Sequence, residues 1–177
     1  MNSNLRRTSG VVVVLVLVLV GVLLQSFWGD AAARSNGEGR LQGTWRVKLN
    51  PRNCQTGGPG APPFSLLLSF HRGSTLTEAM NPEAFLPGQR TPGLGVWSHA
   101  HDNAYKAVWE AFILFDSPTI PPRFKRGVQR LMWDIEVDGD QLTIEASSQF
   151  FDTNGNLLAA TCGSATGTRF EGGKDED

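Results

Sequence analysis

Apolar and polar residues alternate with a period of two through most of the chain. Trp45, Val47 and Leu49 alternate with Thr44, Arg46 and Lys48, and Leu131, Trp133, Ile135 and Val137 with Arg130, Met132, Asp134 and Glu136. Leu142, Ile144, Ala146, Ser148 and Phe150 repeat the pattern, as do Tyr105, Ala107, Trp109, Ala111 and Ile113. Successive side chains of a strand point to opposite faces, so each run predicts a strand with one apolar and one wet face. Half-buried antiparallel strands read in this way. Turn residues divide the chain into eight such segments: 42–50, 64–72, 74–80, 93–100, 104–115, 128–138, 141–151 and 156–170.

The connections differ in length in an ordered way. Arg72-Gly73-Ser74, His101-Asp102-Asn103, Asp138-Gly139-Asp140 and Asp152-Thr153-Asn154-Gly155 are short and of hairpin type. Those at 51–63, 81–92 and 116–127 are long. In an up-and-down meander successive connections alternate between two ends, which puts all three long loops at the same end. An all-β, eight-stranded antiparallel up-and-down barrel, closed by tight turns and covered by long loops, accounts for this arrangement. Its interior is wide enough for one small ligand. A sandwich or an open sheet does not require the coincidence.

The N-terminus has a different character. Arg6 and Arg7 precede the apolar run Val11 to Leu24, and Ala31-Ala32-Ala33 offers an A-x-A cleavage site. Residues 1–33 therefore read as a secretory signal peptide. The competing reading is an uncleaved anchor facing outside, but 14 apolar residues rise only about 21 Å against roughly 30 Å of hydrocarbon. Residues 34–40 are expected to be a flexible leader, 41–171 the barrel and 172–177 a polar tail. The protein is expected to be secreted or periplasmic.

Composition narrows the function. Among 177 residues, 16 Lys and Arg stand against 17 Asp and Glu, a net charge of −1. That balance argues against a nucleic-acid partner, whose phosphates call for a basic surplus. At 40% hydrophobic and 19% charged the chain is globular rather than disordered. Its 20 glycines, 10 prolines and 5 tryptophans suit a turn-rich β-module better than a helical bundle.

Gly43-Thr44-Trp45, opening the first strand after a glycine-containing leader, resembles the G-x-W motif of lipocalins, and Arg169 near the end of the last strand resembles the arginine that packs across that tryptophan. The first strand leaves the closed end and the last returns to it, so Trp45 and Arg169 are expected to meet at the floor in a structural role. Such a cation–π contact contributes about 0.5–2 kcal/mol. The resemblance covers residues 41–170 in organisation and these few positions in motif. The turn Asp138-Gly139-Asp140 stands where the family carries T-D-Y, and no helical stretch follows the last strand. The chain is thus similar to a divergent, bacterial exported member of the lipocalin-like, or calycin, group.

Cys54 and Cys162 are the two cysteines. An even count in an exported chain implies one disulfide. Closure of the barrel makes the first and last strands neighbours and brings the two residues together.

Candidate chemistry is sparse. His99 and His101 share one strand face at a spacing that suits metal binding, but His71 is a strand away and no third ligand is evident, so the histidines read as exposed and no metal is expected. Asp134, Glu136, Glu145 and Glu110 fall on outward faces, and Asp116 and Asp152 end strands and shape turns. Arg123, Lys125, Arg126 and Arg130 form a modest basic cluster. No catalytic residue is assigned.

What remains is the lumen. Phe64, Leu66, Val96, Trp109, Ile113, Leu131, Trp133, Ser148 and Phe150 are the expected ligand-binding positions, although Val96 and its neighbour Trp97 cannot both point inward. Tyr105 is the inward polar candidate. Aromatic walls with few polar groups suit a small hydrophobic ligand. The reading is an exported binding protein for a small apolar molecule, with no cofactor, and with membrane contact only through an uncleaved N-terminal segment. The alternatives are an isomerase or cyclase using the same lumen, the chemistry that the calycin resemblance implies through allene oxide cyclase, and a structural module whose barrel is filled.

Overall fold

The structure, a computed structural model, describes residues 39–80, 85–117 and 124–171. The signal or anchor segment 1–33, most of the leader, Arg123 and the tail 172–177 lie outside the described residues. Eight strands follow in order: β1 (Gly43–Arg52), β2 (Phe64–Phe70), β3 (Thr75–Met80), β4 (Gly93–His101), β5 (Ala104–Ile113), β6 (Gly127–Asp138), β7 (Gln141–Asp152) and β8 (Leu157–Arg169). Each pairs antiparallel with the next, and β1 also pairs with β8, so the sheet is a closed up-and-down barrel with no free edge.

The strand ends follow from local hydrogen bonding. β1 runs past residue 50 because Pro51 and Arg52 stay in register with Gly163 and Cys162. β5 stops at Ile113 because the Leu114 amide turns to the Gln89 carbonyl at 2.8 Å. Gly139, at φ 57°, takes the left-handed conformation that the tight β6–β7 hairpin requires.

Period two is carried through to the interior. On β6, Gln129, Leu131, Trp133, Ile135 and Val137 are buried, while Arg130, Asp134 and Glu136 are exposed. The outward carboxylates find surface partners: Asp134 with Lys106, and Glu110 with Arg130. At the tight-turn end the barrel is filled. A helical turn at residues 39–41 places Leu41 against the floor, where the Trp45 indole N–H donates to the Leu41 carbonyl at 2.8 Å. Tyr105 packs edge-on against Trp97, and Trp97 against Phe70, in the same half.

The expectation for Val96 is corrected. Val96 is 58% exposed on the outer wall, and Trp97 is the inward residue at 2%. The inward positions of β4 before it are Gly93 and Gly95, which have no side chain to contribute. The space beside them belongs to neighbours: a Cβ on Gly95 would lie 2.3 Å from Trp109 Cβ, and one on Gly93 would lie 2.5 Å from Glu78 Oε2. Inward glycines weaken the alternation signal that would have set the phase of this strand.

Candidate functional site

Toward the long-loop end the packed core gives way to a cavity of about 850 Å³. Leu49, Phe64, Met80, Leu131, Trp133 and Phe150 form its apolar wall, and the end of β1 at Pro51 and Arg52 with the β1–β2 loop as far as Ala61 borders its mouth. Alternation explains the wall, since these are the inward positions of β1, β2, β3, β6 and β7. Two aromatic side chains reach it from the other long loops. Phe85 stacks on Phe124 at 4.2 Å between centroids, and Phe124 leans on Phe150 at 5.1 Å, so the two loops meet across the opening.

Five of the nine expected binding residues line this cavity: Phe64, Leu131, Trp133, Ser148 and Phe150. Leu66, Trp109 and Ile113 are buried but do not reach it, and Val96 lies outside. Trp109 stands behind Trp133 in an edge-to-face contact at 4.7 Å. Ser148 shares a 2.7 Å hydrogen bond with Thr161, which also lines the cavity.

Cys54 and Cys162 form a disulfide with a Cα separation of 5.1 Å, and both border the cavity. The bond fastens the β1–β2 loop to β8 at the rim.

The polar interior is richer than the sequence suggested. Glu78, inward on β3, and Arg90, from the loop before β4, form a buried ion pair whose side chains are 0% and 4% exposed. Arg90 Nη2 donates to Oε2 at 2.9 Å and Nη1 to Oε1 at 3.3 Å; Nη1 also donates to the Thr91 carbonyl at 3.0 Å. Its Nε donates to Gln129 Oε1 at 2.6 Å. Burial pushes the Glu78 carboxyl above the usual glutamate range, and the facing Arg90 guanidinium pulls it part of the way back. The nearby Trp109 N–H also favours the charged carboxylate, although it makes no hydrogen bond of normal geometry among the described residues. Gln129 is 5% exposed and belongs both to this network and to the cavity wall. Gln129 was legible in the sequence, being in phase with Leu131 and Trp133, and Glu78 is in phase with Leu76 on β3. Arg90 carried no such signal, since it sits in a loop.

Tyr105, the expected inward polar group, is buried at the filled end, and desolvation raises its phenol above the ordinary range. The histidines are exposed. His99 Nε2 lies 3.0 Å from the Asp102 carbonyl and His71 Nε2 lies 3.2 Å from Thr77 Oγ1. A register shift between His99 and His101 breaks the spacing that had placed them on one face. Among the described residues no three His, Cys, Asp or Glu side chains are grouped to hold a metal. Two members of the basic cluster are engaged: Lys125 pairs with Asp116 at 2.8 Å and Arg130 with Glu110 at 2.7 Å. No protein-family model matches the chain, and no curated protein shows significant similarity to it.

Proposed function

We propose that this chain is an exported binding protein that encloses a small apolar molecule in its barrel, and that it is a divergent member of the lipocalin-like group. The observation that carries the reading is the 850 Å³ cavity at the long-loop end, walled by Trp133, Leu131, Phe64 and Phe150, in a barrel whose other half holds a buried hydrophobic core. That volume falls within the range of small-molecule sites, roughly 300–1,000 Å³. Export is supported by the signal-like residues 1–33 and by a disulfide, a bond that persists in oxidising compartments. The group assignment rests on the barrel topology and on Trp45 beneath Arg169.

Binding is favoured over isomerase or cyclase chemistry by the character of the wall. The ionisable side chains among its described residues are Arg52 and Lys125, both exposed, and Glu78 is held away by Arg90. Native mass spectrometry of protein purified from its own host should reveal a co-purified ligand. Titration with fatty acids, terpenoids, steroids and aromatic pigments should give a saturable change in tryptophan emission that Trp133→Ala weakens. Protein that carries nothing and responds to none of these classes would overturn the reading.

A further inference from the structure

The cavity wall has one polar group whose orientation is imposed from behind. Arg90 Nε is a donor only, so the Gln129 atom that faces it at 2.6 Å is the amide oxygen. The amide NH2 of Gln129 is then directed elsewhere, and Nε2 has no hydrogen-bond partner among the described residues. Gln129 nevertheless lines the cavity, on the same face of β6 as Leu131 and Trp133, at 5% exposure. Trp109 Nε1 is the sealed side-chain nitrogen without a partner among the described residues, so Gln129 Nε2 keeps access to the cavity, where a ligand oxygen can accept its hydrogen bond in place of solvent.

The charge behind Gln129 decides what kind of oxygen fits. Arg90 faces both carboxylate oxygens of Glu78, and neither residue lines the cavity. The pair is neutral as a unit, so it gives no net positive charge to repay the desolvation of an anion. A carbonyl or ether oxygen needs only the donor. Ser148 and Thr161, which also line the cavity, satisfy each other at 2.7 Å.

Resting on the binding reading above, we infer that the barrel selects apolar molecules bearing an uncharged oxygen acceptor, such as a ketone, aldehyde or ester, and that the Gln129 amide N–H is the group that recognises it. Glu78 and Arg90 act as positioning residues that hold this amide in one orientation. A free carboxylate is disfavoured at the same place.

Undecanone, dodecane and decanoic acid have equal numbers of heavy atoms and separate the possibilities. Displacement of a fluorescent apolar dye from the intact protein should rank undecanone above dodecane by about threefold to tenfold, the value of one neutral hydrogen bond, with decanoic acid at neutral pH weakest. In Gln129→Leu the undecanone preference should vanish while dodecane binding is kept. Should that variant fold poorly because Arg90 loses its acceptor, Gln129→Glu serves instead: it retains an acceptor for Arg90 and removes the N–H donor, so the preference should again be lost. Equal binding of all three, tightest binding of decanoic acid, or a preference that survives both substitutions would overturn the inference and leave the apolar-ligand reading standing. Failure of every probe to displace the dye, or of the dye to bind, would overturn both.

Discussion

The Arg169 guanidinium lies 4.2 Å from the centroid of the Trp45 ring, across a β1–β8 register in which the two residues are direct partners. The same guanidinium donates from Nη1 to the Gln42 carbonyl, from Nη2 to the Arg40 carbonyl and from Nε to the Asp140 carboxylate, each at 2.7 Å. One side chain therefore joins the barrel seam, the helical turn below the floor and the β6–β7 hairpin. Trp45 supplies the apolar plate beneath it.

Trp45→Ala should cost about 3–5 kcal/mol, the usual figure for deleting a buried aromatic side chain. Arg169→Lys should also destabilise, because one ammonium cannot reproduce the planar fork that reaches three acceptors. Urea denaturation of the three proteins checks both. If Arg169→Lys has the wild-type midpoint, the clasp contributes nothing to stability.

The Glu78–Arg90 pair makes a sharper test of how charge is tolerated inside the barrel. Glu78→Leu alone leaves a buried guanidinium without its counter-charge and should cost about 3–5 kcal/mol. Combining it with Arg90→Met should recover most of that loss, since two apolar groups need no partner. A double-mutant cycle reads the coupling directly; simple additivity would mean that the pair is not coupled in solution.

Peptide mapping under non-reducing conditions should find Cys54 joined to Cys162 within one molecule. The closed loop spans 108 residues, and loss of such a bond typically costs about 2–5 kcal/mol. Replacing both cysteines with serine should lower the thermal midpoint accordingly. Free thiols in fully oxidised protein would contradict the bond.

Asp152 ends β7 and caps the turn into β8. Its carboxylate accepts from the Asn156 side chain at 2.9 Å and from the Asn154 and Asn156 amides at 2.8 and 2.9 Å. The Asn156 side-chain bond is the chief cause that holds its carboxyl below the ordinary aspartate value of 3.8. A folded value below the unfolded one means that the charged form is stabilised in the native state. The stability Asp152 adds should be fully present above the unfolded value and lost as pH falls through the lower folded value. The difference in urea midpoint between wild type and Asp152→Ala should be constant from neutral pH down to the unfolded value and shrink as pH falls from there through the folded value. A difference that grew with acidity would have the wrong sign.

Much of this architecture was legible in residue order because the information is local. Each strand of a barrel partitions its own side chains between lumen and water, so Leu131, Trp133 and Ile135 declare their face without reference to any other strand. Loop lengths placed the open end, and the resemblance of Gly43-Thr44-Trp45 and Arg169 to a known motif implied the floor. Local pattern failed where a position's environment is supplied by other segments. On β4, Gly93 and Gly95 are silent in a hydrophobic pattern, and only the side chains of Glu78 and Trp109 filling the space beside them leave Trp97 inward and Val96 outside. An ionised Glu78 on a strand reads as solvent-facing until its partner is known, and Arg90 lies 12 residues away in a loop. Gln129 lies 39 residues from Arg90, and nothing nearby in the chain indicates which atom of its amide faces the cavity. The alternation of the strands, the loop lengths and the cysteine count were properties of the sequence by itself. The pairing of a buried charge and the aim of a buried amide depend on which distant residues barrel closure brings within hydrogen-bond reach, and only the tertiary structure decided those.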